Sequence, residues 1–128
     1  MITYRQSTGS IQDSLGYLGI GYSGHGAGLD NPEAEAIADV GPIPAGCWRM
    51  VSFSGDAHYE DKGPAVIVLE PMPDDAGSIA WAHGRAGFLV HGDNSAMNYT
   101  ASHGCIVTER PVRARMWADS DKGIQVVN

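Results

Sequence analysis

The sequence predicts a mostly β fold: a compact sandwich or barrel with one short helix. Three observations carry this. Seventeen glycines and seven prolines in 128 residues punctuate the chain every few positions, which suits turns and short strands rather than long helices. Apolar runs such as Ala65 to Leu69 and Gly87 to Val90 have strand length and β-branched content. Helix-start signals gather in one place, after Cys105, where Thr108 reads as an N-cap, Glu109 suits the first turn, and Val112 and Met116 share a face.

The elements follow in order. Ile2 to Arg5 reads as a first strand and Ser10 to Leu15 as a short second one, after a Thr8-Gly9 turn. Gly16 to Gly28 holds six glycines and reads as a loop, without the Lys-Ser/Thr ending of a phosphate-binding segment. Asn31-Pro32 starts a turn, and Glu33 to Ala38 suits one or two helical turns. The stiff Gly41-Pro42-Ile43-Pro44-Ala45-Gly46 segment leads into a strand from Cys47 to Phe53. After the Ala65–Leu69 strand, Pro71 to Gly77 is a break and Ile79 to Ala82 a short edge strand. Gly87 to Val90 is buried and stops at His91-Gly92, and Asp93 to Gly104 is a polar loop. Pro111 is tolerable only near the start of the helix, Gly123 ends it, and Ile124 to Val127 is the last strand. With no linker or repeat, residues 1–128 read as a single domain.

Charge narrows the partners. The formal net charge is −7, with Lys62 and Lys122 the sole lysines, which argues against nucleic acid and anionic lipid. No apolar run approaches the roughly 18 residues of a membrane span, so membrane insertion is not expected. The polar, alternating start at Met1-Ile2-Thr3-Tyr4-Arg5 has no signal-peptide core, so the chain is expected to be made in the cytoplasm and carried outward by other means.

Chemistry concentrates in Ser102-His103-Gly104-Cys105-Ile106, with His91-Gly92 upstream. A thiol becomes an acyl-transfer nucleophile when a base and an oxyanion site stand beside it. His91 and His103 both qualify as the base, and spacing does not choose between them. The amides of His103, Gly104 and Cys105 form a candidate oxyanion hole, and a helix N-terminus just after Cys105 would favour thiolate. Ser102 either orients an imidazole or caps a turn. A buried, inert Cys105 is the plain alternative. His83, His91, His103 and Cys105 are enough donors for zinc, but their spacing matches no zinc pattern, so neither metal nor cofactor is expected. His25 and His58 read as solvated. Cys47 reads as a core cysteine; the sharper alternative is a Cys47–Cys105 disulfide that silences the site.

His91-Gly92 followed by Ser102-His103-Gly104-Cys105 resembles the catalytic signature of L,D-transpeptidases. Tyr22-Ser23-Gly24, Asn31-Pro32 and Val40-Gly41-Pro42-Ile43-Pro44-Ala45-Gly46 are similar to the type VI secretion L,D-transpeptidase-like effectors and their phage-encoded relatives. The resemblance runs from about Tyr22 to Arg110. It implies a cysteine enzyme that attacks the diaminopimelate carbonyl of a peptidoglycan stem tetrapeptide and releases D-alanine. Water then completes a carboxypeptidase reaction; an amine completes transpeptidation or D-amino-acid exchange. It further implies Cys105 as nucleophile, His91 as base, the Gly92 carbonyl as the orienter of His91, and His103 with Gly104 on the oxyanion side. Ser102 and Gly92 then border the substrate. Val107 stands where many housekeeping members carry Arg or Asn, and Arg110 is the candidate to bind carboxylate instead. The short gap from His91 to Ser102 implies a trimmed lid and an open site, easier to reconcile with hydrolysis or exchange than with cross-linking. The implied biology is an antibacterial toxin or phage wall-modifying protein, acting in a target periplasm or wall and paired with an immunity protein. A non-catalytic peptidoglycan-binding module and a zinc-bound structural domain are the rival readings.

Overall fold

The computed structural model describes residues 1–72 and 85–128. Eight strands close into a barrel: β1 (Ile2–Arg5), β2 (Ser10–Asp13), β3 (Gly16–Ser23), β4 (Gly46–Phe53), β5 (Ile67–Pro71), β6 (Leu89–His91), β7 (Ile106–Thr108) and β8 (Gly123–Val127). Their order around the barrel is β1-β2-β3-β7-β6-β5-β4-β8, and β8 returns to β1 in parallel, pairing Ile2 with Ile124 and Tyr4 with Val126. Closure leaves no free sheet edge among these strands. Among the described residues one α-helix, α1 (Arg110–Ala118), packs on β3 and β6. The fold is therefore mostly β with one short helix beyond Cys105.

Alternation explains the core. Ile2 and Tyr4, Trp48 and Met50, Ile67 and Leu69, and Ile124 and Val126 recur at every second position and are all buried. Each such side chain removed from water contributes roughly 1.5–3 kcal/mol. Trp48 packs edge-on against Phe88 at 4.9 Å between ring centres, and its indole N–H donates to the Pro44 carbonyl at 2.9 Å. The stiff segment before β4 thus anchors the largest core side chain.

Four sequence expectations are corrected. The stretch from Gly16 to Ser23, expected as part of a loop, is strand β3, paired with β2 and β7. Its glycines serve close approach: a Cβ at Gly21 would lie 2.5 Å from the Val107 carbonyl, and one at Gly19 2.5 Å from the Val112 side chain. Thr108 is not the helix cap. It ends β7, where its hydroxyl donates to the Ile20 carbonyl at 2.9 Å, and Glu109 takes the N-cap position without a side-chain cap bond. The helix stops at Ala118, and Gly123 opens β8 instead. The expected helical turns in 33–38 reduce to a 3-10 turn at Pro32–Ala34. The expected edge strand Ile79–Ala82 and the candidate ligand His83 lie outside the described residues.

Arg113 of α1 is 4% exposed. Its guanidinium donates to the carbonyls of Ala65 (2.7 Å), Thr108 (2.6 Å) and Pro64 (3.2 Å), joining the helix to the strand ends that border the site. Arg113→Met is expected to destabilise the fold by about 3 kcal/mol, because buried carbonyls lose charged donors. A urea melt measures this, with Arg113→Lys recovering little since an ammonium lacks the planar fork.

Candidate active site

The short parallel pair β6–β7 sets the geometry. Val90 faces Ile106 and His91 faces Val107. Val90 and Ile106 are fully buried in the core, so His91 and Val107 project from the opposite face. Cys105 lies in the bend that leads directly into β7, two residues before Val107. Parallel pairing thus sets His91 beside the strand that Cys105 immediately precedes.

His91 is 2% exposed. Its Nδ1 lies 2.7 Å from the Gly92 carbonyl. A carbonyl only accepts, so Nδ1 carries the proton and Nε2 keeps its lone pair. Burial pushes the imidazole below its ordinary pKa; the Gly92 bond opposes this, and the nearby Lys62 and Arg113 charges add to it.

Ser102 is buried at the hub of the nucleophile turn. Its hydroxyl donates to the Cys105 carbonyl (2.6 Å) and accepts from the amides of Gly24 (2.9 Å) and Gly104 (3.1 Å). Those three backbone partners hold the turn, the capping role that the sequence left open for Ser102. The Gly104 N–H is likewise turned onto Ser102, which corrects the expectation of three free oxyanion amides. Gly104 has φ +133° and its carbonyl accepts from Ser23 Oγ at 3.0 Å, while Ser23 Oγ accepts from the Ile43 amide at 2.8 Å. A Cβ at Gly104 would sit 2.5 Å from the Arg85 guanidinium, so a side chain fits neither the backbone nor the space.

The helix does not assist Cys105 directly, since β7 intervenes between the thiol and the N-terminus of α1. Burial raises the thiol pKa; the Leu89 amide and the charges of Lys62 and Arg85 pull it back in part. Cys105 Sγ lies 3.9 Å from the Gly87 carbonyl. Cys47 is half-buried on β4, and both thiols are free, so the silencing disulfide is absent.

Two hollows meet at His103. One, of about 190 Å³, is lined by Asp39, Arg85, Gly104 and Cys105 together with His103. The other, of about 290 Å³, is lined by Lys62, His91, Asp93 and Asn94, again with His103. His103 therefore borders both the thiol hollow and the imidazole hollow. Its ring is 4.9 Å from that of His25, whose Nδ1 contacts the Ser102 carbonyl at 2.9 Å. His25 is thus half-buried against the nucleophile turn, not solvated as its loop context implied.

Arg85 carries no sequence motif, yet it ties the site together. It donates to the carbonyls of Glu35 (2.5 Å), Pro42 (2.8 Å), Gly41 (3.0 Å) and His103 (3.2 Å), linking the Gly-Pro segment to the nucleophile turn. Arg85→Met is expected to lower turnover about tenfold and stability by about 2 kcal/mol, as these carbonyls lose their donor. Parallel kinetics and thermal melts check it. Arg110, expected to bind carboxylate, is half-exposed and paired with Asp56 at 2.7 Å. Among the described residues, no group of three or more His, Cys, Asp or Glu is placed to hold a metal ion.

A profile described as the Tlde1 domain matches residues 19–127, which include every site residue above. The chain belongs to the Tlde1-domain family. No curated protein matches the chain. The Tlde1 family comprises type VI secretion effectors of L,D-transpeptidase-like character directed at target-cell peptidoglycan. The Tlde1 match begins inside β3, so β1 and β2, which complete the barrel, precede it. No helix among the described residues of this Tlde1 chain is long and apolar enough to cross a membrane.

Proposed function

We propose that this Tlde1 domain is a cysteine acyl-transfer enzyme that cleaves stem tetrapeptides at the diaminopimelate–D-alanine bond, with residues 1–128 as the catalytic unit. The supporting observation is the parallel β6–β7 pair, which sets the buried His91 opposite Val107, two positions beyond Cys105, with His103 bordering the hollows of both groups. His91 Nε2 takes the thiol proton as Sγ attacks the diaminopimelate carbonyl carbon. The amides of His103 and Cys105 stabilise the oxyanion, since the Gly104 amide is engaged by Ser102. The intermediate collapses with cleavage of the C–N bond, and His91 returns the proton to the departing D-alanine amine. The thioester is then resolved by water, giving the tripeptide and regenerating the thiol, or by an amine, giving a cross-link or an exchanged D-amino acid.

Gly92 fixes the imidazole tautomer, Ser102 and Gly104 hold the nucleophile turn, and the site lies open because only eleven positions separate His91 from Ser102. That openness favours hydrolysis and exchange over cross-linking. The domain then acts in the periplasm of a target cell, with a cognate immunity protein as its partner in the producing cell. Incubation with tetrapeptide muropeptides tests this: mass spectrometry should find released D-alanine and a transient adduct on the peptide bearing Cys105. Retention on isolated sacculi with neither product would instead support a binding module. Stoichiometric zinc surviving dialysis would support a structural metal domain.

A further inference from the structure

On the acyl-transfer reading above, the site must accept one particular end of the stem peptide. The departing amine must take its proton from His91, so it leaves toward the hollow that His91 lines. A C-terminal D-amino acid carries its carboxylate one carbon from that amine, within about 4 Å by standard bond lengths. A cation in the His91 hollow would meet that carboxylate.

The neighbouring arginines are engaged elsewhere. Arg85 donates to four carbonyls, Arg113 to three, and Arg110 pairs with Asp56. Lys62 lines the same hollow as His91. Its ammonium contacts Asp61 at 4.0 Å, the outer limit of ion pairing, and that carboxylate is 85% exposed. The other carboxylate of this hollow, Asp93, accepts from the Tyr22 hydroxyl (2.7 Å) and the Asn94 amide (2.9 Å). Lys62 closes a short 3-10 turn, Glu60–Lys62, with its amide donating to the Tyr59 carbonyl at 2.9 Å and the Tyr59 amide donating to Gly63 at 2.9 Å. The ammonium is thus carried on a defined turn at the rim of the base hollow.

We infer that Lys62 binds the free C-terminal carboxylate of the scissile peptide and restricts the domain to removal of a terminal D-amino acid. Lys62 replaces Arg110 as the carboxylate-binding residue.

The test compares a diaminopimelate tetrapeptide ending in D-alanine with the same peptide ending in D-alaninamide, following release by mass spectrometry. The wild type should prefer the free acid in kcat/KM by about 10- to 100-fold, the size of one charge-assisted contact. In Lys62→Met that ratio should fall toward one, and Lys62→Arg should restore most of it. Any influence of the Lys62 charge on His91 or Cys105 acts on both peptides and cancels in the ratio. An unchanged ratio in Lys62→Met, or no preference in the wild type, overturns the inference while leaving the nucleophile reading intact. A third peptide, amidated only on the diaminopimelate side-chain carboxyl, should keep its Lys62 dependence; losing it would assign Lys62 to that carboxylate instead. No release from any peptide by the wild type would overturn the acyl-transfer reading itself.

Discussion

Cys105→Ala is expected to lower D-alanine release from a stem tetrapeptide by at least about 10⁴-fold, the scale on which nucleophile removal acts in covalent catalysis. Folding should change little. The thiol sits at the edge of an open hollow, and its polar contact, 3.9 Å to the Gly87 carbonyl, is long. Losing one sulfur there should cost about 1 kcal/mol. Cys105→Ser sharpens the result. A hydroxyl keeps the shape and the hydrogen-bonding capacity, but it is far harder to ionise than a thiol. It should therefore fold like the wild type and still lose nearly all turnover. Intact-protein mass spectrometry should show the acyl adduct in wild type alone. An Ala variant that keeps more than a few per cent of the wild-type rate would remove Cys105 from the mechanism.

Local chemistry was legible in the sequence where it depended on neighbours along the chain. The Ser102–Cys105 run, the His91-Gly92 pair and the stiff Gly-Pro segment are each contiguous motifs. Strands such as Ile2–Arg5 and Gly46–Phe53 follow from alternation. What depended on partners far away was not legible. The glycines of β3 read as loop because their use, admitting the Val107 backbone and the Val112 side chain, is a property of the packed barrel. Thr108 has an ideal capping side chain, yet a ladder to β3 claims its backbone and hydroxyl. Arg85 had no signal, since the carbonyls it binds come from segments tens of residues distant, and the hollow that Lys62 lines is assembled in the same way. Ser102 lies inside the motif, and its hydroxyl holds the motif's own backbone, in keeping with the turn-capping reading.

The second large effect concerns His91, and its sign follows from burial. Burial lowers the imidazole pKa and raises the thiol pKa, so both groups rest neutral near pH 7 rather than as a thiolate–imidazolium pair. Each neutral form also stabilises the fold. The His91 contribution is complete above the unfolded imidazole value of about 6.5 and declines as pH falls below it. The Cys105 contribution is complete below the unfolded thiol value of about 8.5 and declines as pH rises above it. Wild-type kcat/KM should therefore stay flat between these limits, because His91 is free to accept the proton and the thiol is present to give it. Alkylation of Cys105 by iodoacetamide should instead climb steeply with pH, being about tenfold slower per unit below the thiol pKa. His91→Gln should lower kcat/KM at pH 7 by about 10³-fold, a typical loss for a general base. Its remaining activity should rise with pH up to the thiol pKa, since hydroxide then does what the imidazole did. The two profiles thus converge toward alkaline pH. Rapid, pH-independent alkylation between pH 6 and 8 would show a preformed ion pair. A His91→Gln profile parallel to the wild type would move the base to His103, whose ring borders the thiol hollow directly.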